Sequence, residues 1–417
     1  MDKGELFSQA LCNEIRDKFA FIEADPQLGN RLFFDNSGGS LRLKAAIEVK
    51  TELDLIPDCP ERYHERADIL NAIIQKGTDD ILKIILGAKG GSLMTELTAS
   101  QTVFQGIATI MESVEGTNAV TSNVEHPSAY DALKFYCQKN HKEFRVAEVN
   151  AKTGFVEPEK VAELVDENTI LVSIMASSNI SGNIMDLEKI VKLVREKNPN
   201  VYIISDAVQH VPHGLMDVDK LQLDFVNFAP YKFMASRGIG VAYVSERVSK
   251  LPHHKLLGKD NEIWELGTPT PSLYASISAV VDYVCWLGTK FINSNDRREL
   301  FCAGMRGIEM QERALMNYMI EGLRKISGVT VFLDNDDLER KDFILAIDIN
   351  GKDLTECVKE YQRRGITVYE RVNTSIYSKR IVEALNFEGA IRVSPLHCNT
   401  CDEIDRFSKV TAEIVSL

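Results

Sequence analysis

Two residues fix the kind of chemistry this chain can do. Tyr202-Ile-Ile-Ser205 is an apolar run ending on an acid, Asp206, and Asp224-Phe-Val-Asn-Phe228 is followed by a lysine in a loop, Lys232. Buried parallel strands are near-continuous apolar runs, and open α/β sheets carry their chemistry at strand C-terminal ends. The acid and the lysine can therefore share one crevice. A buried lysine near its neutral form attacks an aldehyde and holds a carbonyl compound as a Schiff base. An acid against a heteroaromatic nitrogen keeps that nitrogen protonated, so that the ring accepts electrons. Either residue alone reads as a loop residue or helix cap; the pair specifies a site.

The elements that must position this pair alternate in kind. Apolar runs predict strands over 93–97, 119–124, 144–149, 170–175, 201–205, 225–228 and 241–244, with helical windows over 102–111, 128–137 and 187–195. Such alternation implies a mainly parallel sheet with helices on both faces and loops gathered at one edge. Upstream, residues 5–24 have helical spacing, 31–34 read as a short strand, and Asp35-Asn-Ser-Gly-Gly39 is a turn suited to close backbone approach. Residues 41–86 are helical, interrupted by Pro57 and Pro60. Downstream of Gly267-Thr-Pro-Thr-Pro271 lies a long helical region with a break at Gly288 and a helix over 297–324. The tail changes rhythm, with strands at 342–349, 366–369 and 390–394 and helices at 354–363 and 402–415, a smaller α+β unit.

A net charge of −13 argues against a nucleic-acid partner. No run reaches a membrane span, and residues 1–5 lack the apolar core of a signal peptide. Eight scattered cysteines do not form a disulfide framework, so the expected setting is cytoplasmic and reduced. Cys398-Asn-Thr-Cys401 has no second pair and reads as a turn, and His253-His254 reads as surface. Arg237-Gly-Ile-Gly240 is too short for a dinucleotide fingerprint.

Asn36-Ser-Gly-Gly39, Thr98-Ala-Ser-Gln-Thr102, Glu125-His126, Ser178-Asn-Ile-Ser-Gly182, Ser205-Asp-Ala-Val-Gln209, Tyr231-Lys232, Gly267-Thr-Pro269 and Ile391-Arg-Val-Ser394 occur in that order. In this order they resemble the class V aminotransferases, fold-type I pyridoxal-phosphate enzymes that include cysteine desulfurases and selenocysteine lyases. The resemblance implies an α/β fold: a large domain over 31–290 with a seven-stranded sheet, a small C-terminal domain over 291–417, and residues 1–30 packing on the latter. It implies that Lys232 binds pyridoxal 5'-phosphate and moves the α-proton, that Asp206 pairs with the ring nitrogen, that Gln209 meets the ring hydroxyl and that His126 stacks on the ring. Ser100, Gln101 and Thr102 match the phosphate loop, with Thr102 the leading hydroxyl. Thr268 resembles a residue reaching the phosphate from the other subunit of a homodimer. Arg392 matches the arginine that grips a substrate carboxylate, Asn179 matches a residue that assists both that carboxylate and the ring hydroxyl, and Asn36 lies in the loop lining the substrate pocket.

Two departures narrow the expectation. The family's desulfurases carry a nucleophilic cysteine on a loop before that arginine, whereas Tyr369-Glu-Arg-Val-Asn-Thr-Ser-Ile-Tyr377 has none, and Cys357 lies in a helix as a small buried residue. A histidine and a serine that help hold phosphate are replaced by Tyr231 and Ala229. The expected activity is a lyase removing the α-proton and β-substituent of a small, sulfur-containing amino acid. The alternative is transfer of the amino group to a 2-oxo acid. His126 leans against it, because transaminases of this group more often stack a tryptophan there.

Overall fold

The computed structural model describes residues 2–57, 59–334 and 337–417; Met1, Asp58, Asn335 and Asp336 lie outside the described residues. All seven sheet strands form within two residues of the expected positions: β1 Ser92–Glu96, β2 Asn118–Ser122, β3 Glu143–Ala147, β4 Thr169–Ser173, β5 Tyr202–Asp206, β6 Phe225–Phe228 and β7 Gly240–Val244. Their spatial order is β1-β7-β6-β5-β4-β2-β3. Only β7 runs against the rest, pairing antiparallel with both β1 and β6. The C-terminal ends of β1, β2, β4, β5 and β6 therefore meet at one edge, together with the start of β7.

The apolar runs are continuous because both faces are buried. Met94, Ala119, Leu171, Ile204, Phe225 and Ala242 pack on one face with helices Ala99–Ser113 and Pro127–Lys139. Their neighbours Leu93, Val120, Val172, Ile203, Val226 and Val241 face the opposite core, with helices Leu187–Lys197 and Pro271–Gly288. Gly240 opens β7 directly against the start of helix Ala99–Ser113; a Cβ there would land inside contact distance of the Ala99 nitrogen and the Thr98 carbonyl carbon. Neither backbone can yield without moving the helix N-terminus. Gly240→Ala is expected to destabilise the fold by about 1–3 kcal/mol, read from urea midpoints, as overpacking does.

A second sheet has the order β8-β9-β11-β10, with β8 Val329–Val331, β9 Leu345–Ile349, β10 Tyr369–Val372 and β11 Gly389–Val393, all antiparallel. Leu345, Ile347, Ile391 and Val393 pack with helices Arg297–Leu323, Leu354–Arg363 and Cys401–Val415. The stretch expected as one strand over 366–369 is divided. Ile366–Thr367 pairs parallel with Leu32–Phe33, and β10 starts at Tyr369. The N-terminal helix is shorter than its spacing suggests, Gln9–Arg16, because Phe19 bridges to Leu43 and Ala24–Asp25 turns back on Gly29–Asn30. Arg16 ties this segment to the last helix through the Cys398 carbonyl and Glu403. Cys398-Asn-Thr-Cys401 is the turn into that helix, closed by a capping box between Thr400 and Glu403. His253, expected at the surface, is half-buried and stacked 3.8 Å from the Trp264 ring. Among the described residues no helix is long and apolar enough to cross a membrane.

Candidate active site

At the shared strand edge lies a cavity of about 390 Å³. Leu97 to Ser100 follow β1, His126 and Ser128 follow β2, Met175 to Asn179 follow β4, and Asp206 to Gln209 end and follow β5. Ala229, Tyr231 and Lys232 follow β6, and Arg237 and Gly238 precede β7. Parallel crossovers dictate this convergence of loops that are distant in sequence.

Lys232 ends a one-turn 3-10 helix, Pro230–Lys232, that is clamped from outside. The Tyr231 carbonyl accepts from the Ser40 amide at 3.2 Å, the Ser40 hydroxyl at 3.1 Å and Arg42 Nη1 at 2.5 Å. The glycine turn makes this approach possible, since a Cβ on Gly39 would sit 3.2 Å from Arg237 Nη2 and 3.5 Å from the Tyr231 ring. Burial, reinforced by the Arg392 charge, pulls the Lys232 amine down to about 7, with Asp206 opposing the shift. Asp206 is buried and accepts at 3.0 Å from the Val208 amide; burial raises its pKa, while that hydrogen bond and the Lys232 charge pull the other way. The loop after it is pinned by His210 to Asp342 at 3.1 Å and by His213 to Glu312 at 2.7 Å.

His126 caps helix Pro127–Lys139, its Nδ1 accepting from the Ser128 amide at 3.2 Å and lying 2.7 Å from the Ser128 hydroxyl. Burial and the Lys232 charge hold the imidazole at about 3, so it is neutral, and with Nδ1 accepting, its proton sits on Nε2. Glu125 beside it is fully buried, accepts from Ser122 Oγ at 2.6 Å, and is pushed by burial up to about 8.

The helix N-terminus that faces the cavity begins earlier than the sequence suggested. Thr98 is the N-cap, accepting from the Gln101 amide, and Ser100 lines the cavity. Thr102, expected to lead the phosphate site, lies one turn inside, buried, with its hydroxyl donated to the Ala99 carbonyl at 2.8 Å. Gln101 is exposed and its side chain accepts from Thr98 Oγ1. Of the expected phosphate loop, the structure thus brings Ser100 to the cavity and adds Thr98, Ala99 and Arg237, whose guanidinium lies 3.8 Å over the Tyr231 ring.

Gln209 lines the cavity and donates to the Ser37 carbonyl at 3.2 Å. Asn36 does not line it; its amide group donates to the Ser394 carbonyl at 2.8 Å and accepts from the Leu41 amide at 2.9 Å, a scaffolding use. Asn179 lines it with Oδ1 buried and unpartnered, while its carbonyl accepts from Arg392 Nη1 at 3.1 Å. Arg392 does not line it either; it is buried and its Nη2 donates to Asp35 at 2.6 Å, a pairing across the chain with no local mark in the sequence, whereas Asn227, equally unmarked, does line the cavity. Thr268 is exposed, outside its own chain's cavity, and bonds to Glu61.

A phosphorylated pyridine aldehyde fits these residues. A low-pKa lysine and a buried acid lie in one cavity, the open first turn of a helix beside an arginine suits a phosphate, and Asn179 Oδ1 and Asn227 Oδ1 await partners. The family model for class-V aminotransferases matches residues 94–407. The chain belongs to that family. It is a pyridoxal-phosphate-dependent enzyme of fold type I. A probable cysteine desulfurase of Borreliella burgdorferi is 24% identical over 94% of this chain and 95% of its own. An aminotransferase-like protein of Gibberella zeae is also 24% identical, over 94% and 95%. The solved cysteine desulfurase of Thermococcus onnurineus superposes with a TM-score of 0.81 at 20% identity, covering 93% of this chain and 95% of that one.

Proposed function

We propose that this class-V enzyme is a lyase acting on a small, sulfur-containing amino acid: the α-proton is removed, the β-sulfur departs with its electron pair as a thiol or sulfide, and water hydrolyses the remaining enamine to pyruvate and ammonia. The observation that carries the reading is that none of the eight cysteines lines the cavity. Cys357 is buried in the core beneath the second sheet, and Thr374 falls near where the resemblance places a cysteine nucleophile. A substrate sulfur therefore leaves to solvent instead of to a protein thiol.

Pyridoxal phosphate, when bound, supplies an electron sink for charge at the substrate's α-carbon. Lys232, with its amine near neutrality, takes and returns the α-proton. Asp206 holds the ring nitrogen protonated, and His126 offers Nε2–H to the cavity. Arg392 and Asn179 hold the α-carboxylate, and Ser100, Arg237 and the amides of helix Ala99–Ser113 hold the phosphate, with Tyr231 and Gln209 beside them. Thr268, exposed and away from its own cavity, completes the partner's site in a homodimer. We assign the cofactor-holding unit to 31–290, the smaller unit to 291–417 with 1–30 packed on it, and the setting to the cytoplasm. Amino transfer to a 2-oxo acid is the second reading, favoured by the likeness to the Gibberella zeae protein.

Incubating the holoenzyme with cysteine and cystine, without added 2-oxo acid, separates the two readings. Pyruvate with stoichiometric ammonia is the expected outcome. Amino transfer once a 2-oxo acid is added, with no pyruvate from any β-substituted amino acid before it, overturns the lyase.

A further inference from the structure

One arginine, Arg392, accounts for a substrate α-carboxylate; the fold brings a second to the same place. In the antiparallel pair of β10 and β11, Tyr369 lies opposite Arg392 and Arg371 opposite Ala390. Residues two apart share a sheet face, so Arg371 and Arg392 are diagonal neighbours on one face. Ile391 and Val393, on the other face, are sealed in the apolar core, and the residues beside the arginines are small: Ala346 opposite Arg392, Ala390 opposite Arg371.

The two guanidinium groups have different neighbours. Arg392 is balanced by Asp35 and the Asn179 carbonyl. Arg371 Nε is buried without a partner, and among the described residues no carboxylate or carbonyl accepts from this guanidinium; its contact is the Tyr369 ring, 5.3 Å away. Burial, and then the Arg392 charge, pull Arg371 down to about 9, and its charge acts on Lys232 and His126 as well. Two like charges on one face, Arg392 buried and Arg371 half-buried, with one carboxylate bonded to only the first of them, leave an anion's place open.

We infer that Arg371 is a specificity-determining residue that binds a second anionic group, a carboxylate or sulfinate on the substrate's side chain, while Arg392 holds the α-carboxylate. This rests on the reading that the cavity takes an amino acid and deepens it: the preferred substrates are amino acids with an acidic side chain, as opposed to neutral cysteine. Charge-assisted, forked hydrogen bonding from a guanidinium suits either oxyanion.

The test is binding of unreactive acids to the holoenzyme by calorimetry. Succinate is expected to bind about 10- to 100-fold more tightly than butyrate, the worth of one charged hydrogen-bonding pair. Arg371→Gln should reduce that ratio to within about threefold by weakening succinate alone, and Arg371→Lys should restore part of it. Equal affinity for the two acids, or a ratio unchanged in Arg371→Gln, overturns the inference. A variant with lost pyridoxal absorbance or a melting point lowered by more than a few degrees is replaced by Arg371→Met, read the same way. Comparing kcat/KM for cysteine sulfinate, aspartate and cysteine tells sulfinate from carboxylate. The binding ratio does not depend on whether pyruvate is formed, so failure of the lyase reading leaves this test intact.

Discussion

Lys232→Ala is expected to lose the borohydride-reducible linkage to pyridoxal and to lower turnover by at least about 10³-fold. Lys232 stands at the cavity wall on a turn fixed from behind by Ser40 and Arg42, and among the described residues no other lysine lines the cavity. Its chemistry is set by where it sits: burial and Arg392 bring the amine to about 7, against 10.5 for a solvated lysine. The sign of the pH dependence follows. Below about 7 the amine is protonated and cannot attack an aldehyde; above it the free amine dominates. Uptake of pyridoxal phosphate by the cofactor-free protein, followed by absorbance, should therefore rise about fivefold from pH 6 to pH 7 and level off near pH 8 at about tenfold the pH 6 value. A rise confined to pH above 9 would show an ordinary, hydrated lysine. The alanine variant should keep its fold, because it removes a cation from a desolvated place. A yellow variant that borohydride still bleaches would overturn the assignment.

Strands and site were not equally legible in the sequence, for a physical reason. The inner strands of the main sheet are buried on both faces, and such runs announce themselves: β6 spans Phe225–Phe228, the bounds expected from its apolar run. Lys232 and Asp206 follow from strand ends, Gln209, His126, Ser100, Tyr231 and Asn179 only from the family resemblance, and the cavity collects all seven. A helical window reports the middle of a helix better than its start, so the sequence points to Thr102 as the hydroxyl at the helix end. The helix begins at Ala99, and those three residues turn the Thr102 hydroxyl from an exposed cap into an internal bond to Ala99. Asn36 carries no mark in the sequence of being consumed by Leu41 and Ser394. The pairing of Asp35 with Arg392, and the shared face of Arg392 and Arg371, depend on strand register in a sheet whose members lie far apart in the chain. No local pattern encodes register of that kind. In the sequence Arg371 reads as part of a loop, since four residues of alternating character between two turns look alike whether or not they pair.

Asp206→Asn should separate the two services that this carboxylate performs, with a loss of turnover of about 10²- to 10³-fold. In the cofactor-free protein Asp206 is a buried acid with one backbone donor, Val208, and burial raises its pKa. A carboxyl raised above its unfolded value, about 3.9, costs stability on ionising. The cost is absent below about pH 4, grows as pH climbs from there through the folded-state pKa, and is constant beyond it. Asparagine removes it, so the cofactor-free variant should melt a few degrees higher at pH 7 and no higher at pH 4. The loaded enzyme should behave in the opposite way. Its ring nitrogen meets an amide that cannot hold a proton there, so the rise in melting temperature on adding pyridoxal phosphate should shrink while the Lys232 linkage stays reducible. Thermal unfolding of wild type and variant, with and without cofactor and at both pH values, gives all four numbers. Turnover within threefold of wild type, or an equal cofactor-induced shift in both proteins, would mean that Asp206 does not meet the ring nitrogen. Loss of turnover together with a more stable empty protein is the signature of a group kept for chemistry at the expense of the fold, which is what a desolvated acid with one hydrogen bond implies.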